Sequence, residues 1–108
     1  MLFAAEASAS GHENGLQALQ KGDAETALQE LKPAAEAGND QAQFFLGLMF
    51  YDGIGVQQDY QAAARLMLLS AEQGFANAQH VLGLLYRDGN GVQEDERKAA
   101  TWQRRAAE

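Results

Sequence analysis

The chain has 108 residues, enough for one small domain or a segment of a longer array. Its hydrophobic fraction is 46%, much of it alanine, which suits closely packed small-residue helices better than one thick core. A net charge of −7 argues against general binding to nucleic acid or anionic membranes, and the lack of cysteine excludes disulfides, thiolate catalysis and thiolate metal sites.

Residues 1–10 read as a lead-in. Met1 to Ala9 closes on an Ala-x-Ala pattern like a signal-peptidase site, but no basic residue precedes it and its apolar run is short. It is either the remnant of an export signal or an Ala-rich approach to the first helix, so the sequence leaves an exported and a cytoplasmic location equally open. No run approaches the ~18 apolar residues of a membrane span. Residues 11–38 then form an irregular helical pair. Ser10-Gly11-His12-Glu13 has capping-box spacing and opens a helix over 11–21. A tight Lys21-Gly22-Asp23 turn follows, with Asp23 placed to cap a helix over 24–37. Pro33 lacks an amide hydrogen and crowds the turn before it, so it is expected to kink or break that helix.

Residues 39–74 form the next unit. Ala42, Phe45, Leu46, Met49 and Phe50 recur at helical spacing and predict a helix over 41–51. Asp52-Gly53-Ile54-Gly55-Val56 closes it, because glycine adopts the positive φ that ends a helix. Asp59 caps a second helix over 60–73, with Tyr60, Ala63, Ala64, Met67, Leu68 and Ala71 on one stripe and Gly74 at its end. Residues 75–108 repeat the plan: a helix over 77–87 carrying Ala78, Val81, Leu82, Leu85 and Tyr86, the loop Asp88-Gly89-Asn90-Gly91-Val92, Asp95 as cap, and a helix over 96–108. Strand-like alternation is missing throughout, so the fold class is all-α.

The two units are copies. Ala42–Glu72 aligns with Ala78–Glu108 at a spacing of 36 residues with 15 identities in 31 pairs, where roughly two would arise by chance. The same spacing places Asp23, Ala27, Leu31, Ala35 and Gly38 on Asp59, Ala63, Met67, Ala71 and Gly74. A period of this size belongs to stacked helical units of about six helices in all.

The pattern Ala-x-x-x-Leu-Gly-x-x-Phe/Tyr-x-x-Gly-x-Gly-Val-x-x-Asp-x-x-x-Ala, ending in Ala-Glu, resembles the Sel-one-like repeat family, relatives of the tetratricopeptide repeat with a longer loop between helices. Ala42 to Glu108 matches strongly, and the first unit, with its Gly22-Asp23 turn, looks more like an ordinary tetratricopeptide. Trp102 stands where aromatics are usual in the family, whereas the first copy has Leu66 there. The resemblance implies a right-handed α-solenoid that acts as scaffold or adaptor in protein–protein interaction, and it supplies no catalytic residue.

Motifs associated with other chemistry read as packing and turns. Gly47 and Gly83 sit mid-helix, where glycine costs roughly 1 kcal/mol against alanine, a cost offset by close approach of the paired helix. Gly53-x-Gly55 and Gly89-x-Gly91 lack the third glycine of a dinucleotide fingerprint, which would fall at Gln58 or Glu94, and no Gly-Lys-Ser/Thr follows. Asp52, Asp59, Asp88 and Asp95 do not have calcium-loop spacing, and His12 and His80 have no placed serine or carboxylate. No cofactor, metal or nucleic-acid partner is implied. Charge is segregated: residues 1–96 carry 14 acids and four bases, residues 97–108 four bases and one acid. The bases complement a helix C-terminus, or meet an acidic neighbour.

Aligning Leu46-Gly47 and Leu82-Gly83 on the tetratricopeptide motif implies which positions face the concave surface: Gln41, Phe44, Leu48 and Tyr51, then Asn77, His80, Leu84 and Arg87. Phe44 and Tyr51 lie about two turns apart and share a face, suited to gripping a peptide unless the neighbouring unit covers Phe44. The expected function is therefore binding of a protein or peptide partner. A structural alternative is self-association through the last helix, whose apolar edge around Ala99, Trp102 and Ala106 is expected to lie uncovered. The second copy stops at Glu108, two residues before its closing glycine would come, which predicts that the array continues or that this edge pairs with another copy. An enzyme would need His80 in a pocket.

Overall fold

The structure, a computed structural model, describes residues 12–108. The expected lead-in over 1–10 and the Ser10-Gly11 half of the capping box lie outside the described residues. Among the described residues the chain forms six helices and no strand: α1 (helical over 12–20), α2 (Ala24–Glu36), α3 (Asp40–Asp52), α4 (Tyr60–Glu72), α5 (Ala76–Asp88) and α6 (Glu96–Ala107). From α2 onward each helix packs on the next in chain order, which is the contact pattern of a stacked α-solenoid.

Local chemistry sets each boundary. The carboxylates of Asp23, Asp59 and Asp95 accept from the amides of Thr26 (3.1 Å), Ala62 (3.1 Å), and Arg97 and Lys98 (3.0 and 3.1 Å), so all three expected caps are present. Hydrogen bonds from Thr26, its hydroxyl and its amide, hold the Asp23 carboxyl below its ordinary pKa of 3.8. Gly53 and Gly89 end α3 and α5 in the left-handed conformation (both φ 71°). The long loops then fold back: Asp59 N–H donates to Phe50 C=O at 2.9 Å and Asp95 N–H to Tyr86 C=O at 2.8 Å. The short turn after α1 ends the same way, with Asp23 N–H donating to Ala18 C=O at 2.8 Å.

Pro33 does not break α2, which runs on through it to Glu36. The proline stands one turn from the helix end, and both it and Gln29, whose carbonyl loses a partner, are exposed. Water can replace the missing donor there.

Two apolar clusters hold the units together. The first joins Ala18, Ala27, Leu31, Ala34 and Ala35 to Ala42, Leu46 and Met49 of α3. The second joins Phe44, Ala64, Met67 and Ala71 to Ala78, Leu82 and Leu85 of α5. Gly47 allows α4 to approach α3: an added Cβ would lie 3.0 Å from Met67 Cε and 3.5 Å from Ala63 C=O. Gly83 does the same for α6, 3.1 Å from Ala99 C=O, as the mid-helix position suggests. Gly91 does more than turn the chain. Its φ is +76°, and a Cβ there would collide with the Tyr60 carbonyl at the start of α4.

The expected uncovered edge of the last helix is placed differently. Ala99 is buried under α5, and Trp102 is half-buried against the second cluster with the Arg105 guanidinium 4.7 Å over its ring. The alanines of α6 that stand exposed are Ala100 and Ala107. They occupy the register of Ala64 and Ala71, which in α4 receive the following unit, whereas Ala99 and Trp102 face backward into their own.

Three stability measurements check this packing. Gly91→Ala is expected to destabilise the chain by about 2 kcal/mol or more in chemical denaturation, because it adds a backbone collision to the strain of positive φ. Gly74→Ala, with φ +95° but nothing within 4 Å, is expected to cost about 1 kcal/mol. Phe44→Ala is expected to cost about 3–5 kcal/mol, since Phe44 is only 8% exposed.

Candidate functional site

The A-type helices α3 and α5 carry all eight positions expected on the concave surface, and the structure sorts them into separate groups. Phe44 leaves the surface altogether. It packs edge-to-face with Phe45 and with Phe75, both at 5.2 Å between ring centroids, so the neighbouring unit covers it and it is not an exposed partner of Tyr51. The cause lies at position 75. Asn39 caps α3 with its side chain, accepting from Ala42 N–H at 2.8 Å, whereas Phe75 caps α5 with no side-chain hydrogen bond and inserts its ring beside Phe44 instead. A polar cap has been exchanged for an aromatic contact.

Leu48, Tyr51 and Leu84 come together. With Asp52, Val81 and Leu85 they line a groove of about 260 Å³ between α3 and α5. Leu48, Tyr51 and Leu84 are each half-buried, so they offer apolar surface on backbone that the helices hold fixed. The Tyr51 ring lies 5.2 Å from that of Tyr60, and the Gln58 amide donates both to Tyr51 C=O (2.8 Å) and to the Tyr60 hydroxyl (3.3 Å). The long loop thus braces one wall of the groove.

His80, Leu84 and Arg87 line a second groove of about 360 Å³, with Glu96, Ala99, Ala100 and Gln103 of α6. Arg87 pairs with Asp88 at 3.3 Å, an exposed contact worth little in stability. Leu84 is the ridge between the two grooves, and Gln41 and Asn77, both exposed, border neither. Among the described residues no group of three or more His, Asp or Glu side chains converges to hold a metal, and no helix is long and apolar enough to cross a membrane.

Sequence reasoning missed the residues that fasten one unit to the next. Gln43 is buried and donates from Nε2 to Ala35 C=O at 3.2 Å, and Gln79 donates to Ala71 C=O at 3.1 Å. Each glutamine of an A-type helix therefore grips the last turn of the helix before it. Gln73 donates on to Gln43 Oε1 at 2.8 Å, and Ser70 Oγ to Asp40 C=O at 2.8 Å. The signal was present in the identity of Gln43 and Gln79 between the copies, a polar residue kept amid an apolar stripe.

The Sel1 repeat family model matches residues 4–39, 40–75 and 76–108. Among solved structures the chain is similar to a Sel1 repeat protein from Oxalobacter formigenes, with 33% identity, a TM-score of 0.84, and 90% of this chain covered. It is also similar to a protective antigen of uropathogenic Escherichia coli strains displaying an SLR fold, with 34% identity, a TM-score of 0.86, and 93% covered. The chain spans only 39% and 22% of those two proteins' chains. A comparison with curated proteins found no match. With its solenoid of Gly-x-Gly-looped helical pairs and a family match over nearly its whole length, the chain belongs to the Sel1 repeat family.

Proposed function

We propose that the chain is a non-catalytic interaction scaffold that receives a segment of a protein partner on its A-helix face, in the groove between α3 and α5. Sel1 repeats generally serve protein–protein interaction, and the observation that carries the finer reading is the groove itself. Leu48, Tyr51 and Leu84 supply half-buried apolar contacts, and the exposed Asp52 supplies a polar group beside them. Aromatic and apolar anchors beside a polar group suit peptide recognition, because the rigid helices lose little freedom when the partner binds. Phe44 contributes from beneath, by holding α5 against α3.

The test is a double variant, Leu48→Gln with Tyr51→Gln, which replaces the apolar lining with polar side chains of good helix propensity. Partners captured by the wild-type protein are identified by mass spectrometry, and their affinity for both proteins is measured by calorimetry. Affinity is expected to fall at least tenfold, with helicity by circular dichroism retained. Unchanged affinity would refute the assignment.

A further inference from the structure

One residue change opens the joint between the second and third units. Ala64 of α4 and Leu82 of α5, both buried, and the half-buried Leu68, Tyr86 and Val92 line a groove of about 220 Å³. One unit earlier the register of Ala64 holds Leu28, and those of Tyr86 and Val92 hold Phe50 and Val56. Leu28, Phe50 and Val56 all pack against the first apolar cluster. Ala64 lacks the outer carbons of a leucine, so the corresponding space at the second joint has no side chain of this register to fill it. Gly91, also in the lining, packs the loop after α5 on the Tyr60 carbonyl so closely that no side chain fits between them, which fixes that wall. The groove lies wholly between units that are both described. A further unit, resting on His80, Leu84 and Arg87 of α5 as α5 rests on Phe44, Leu48 and Tyr51, would not cover it.

The charge at this joint changes too. Glu25 and Gln29 of the earlier joint give way to Gln61 and Arg65, so an acid is lost and a cation gained. Arg65 is exposed, and no acid stands among the lining residues. Its neighbours three and four positions along α4 (Gln61, Ala62, Leu68 and Leu69) carry no charge, and among the described residues no carboxylate lies within salt-bridge distance of it. A second cation is close by, because the Lys98 ammonium lies 5.4 Å from the centroid of the Tyr86 ring. Two cations beside an apolar gap, in a chain of net charge −7, are complementary to an acid.

We propose that this groove takes a leucine-sized side chain of a partner protein whose adjacent residue is aspartate or glutamate. Ala64 is buried and Arg65 exposed, so the apolar group enters over the alanine while the carboxylate stays outside and accepts from the guanidinium. Adjacent residues of one segment meet both demands. The volume suits a single side chain, since pockets for whole small ligands start at about 300 Å³. This site is independent of the groove between α3 and α5, with which it shares no lining residue.

The test is an amide-resolved NMR titration of the full chain with the peptide acetyl-Ala-Leu-Glu-Ala-amide. Saturable shifts are expected at Ala64, Arg65 and Val92. Replacing the peptide's glutamate by glutamine is expected to weaken binding about fivefold or more, and replacing its leucine by alanine to abolish it. Arg65→Gln, which installs the residue of the earlier joint, is expected to make the glutamate and glutamine peptides equal. Ala64→Leu is expected to abolish binding and to raise the midpoint of chemical denaturation, because it fills the gap as Leu28 does. The Leu48→Gln, Tyr51→Gln variant is expected to bind the peptide as the wild type does. Equal affinity for the glutamate and glutamine peptides, no saturable shift with either, or a lowered midpoint or retained binding in Ala64→Leu would overturn the proposal. So would tighter binding of acetyl-Ala-Ala-Leu with a free carboxylate, since the groove would then belong to a chain terminus.

Discussion

A helical pair of this size cannot bury its apolar faces alone, so everything in this chain depends on the joint between one unit and the next. That joint is made twice in the same way. A buried glutamine one turn into α3 or α5 donates to a carbonyl in the last turn of the preceding helix, Gln43 to Ala35 and Gln79 to Ala71. Those carbonyls already accept the amides of Gly38 and Gly74, both at 3.0 Å, so the glutamine uses the second lone pair. Around each joint the apolar stripe of the incoming helix closes on small residues, Ala34 and Ala35 in one case, Ala64 and Ala71 in the other. The hydrogen bond contributes modestly to stability, about 1 kcal/mol, but it acts within an apolar contact and selects one rotation of the helix.

Much of this was legible because the sequence states it twice. Asp59 and Asp95, Gly53 and Gly89, and Gly47 and Gly83 each recur in a role that elementary stereochemistry assigns, and the structure puts each in that role. What failed to show was tertiary. Phe44 reads as a surface aromatic from its helical position, and only the ring of Phe75, a residue in the next unit, turns it into core. Pro33 reads as a breaker, yet a proline within a turn of an exposed helix end removes one hydrogen bond that water can replace. Ala99 and Trp102 read as an open edge because a stripe on a helix does not say which side the previous helix takes. The candidate site was legible in part: Leu48, Tyr51 and Leu84 share a groove, while His80 and Arg87 line another and Gln41 and Asn77 border neither.

The duplication also explains where specificity can reside. Identical positions are occupied in making the joint, the turns and the caps, so changing them costs stability before it changes recognition. Positions where the copies disagree divide: Phe44, Met49 and Met67 are core, while Tyr51 and Arg87 line grooves that the joint leaves open. Tyr51 and Arg87 share one register; the tyrosine braces a wall beside Tyr60, and the arginine lines the groove between α5 and α6. A single backbone plan thereby presents two grooves of different lining side by side, with Leu84 common to both.

The glutamine joint is the fastening between units that otherwise contact only their neighbours. Residue-resolved hydrogen exchange on Gln79→Met tests it directly, since methionine keeps the volume and removes the donor. Exchange in α5 and α6 is expected to accelerate roughly fivefold, the equivalent of about 1 kcal/mol, while α2 and α3 keep their protection. An equal acceleration throughout the chain, or none in α5 and α6, would contradict it.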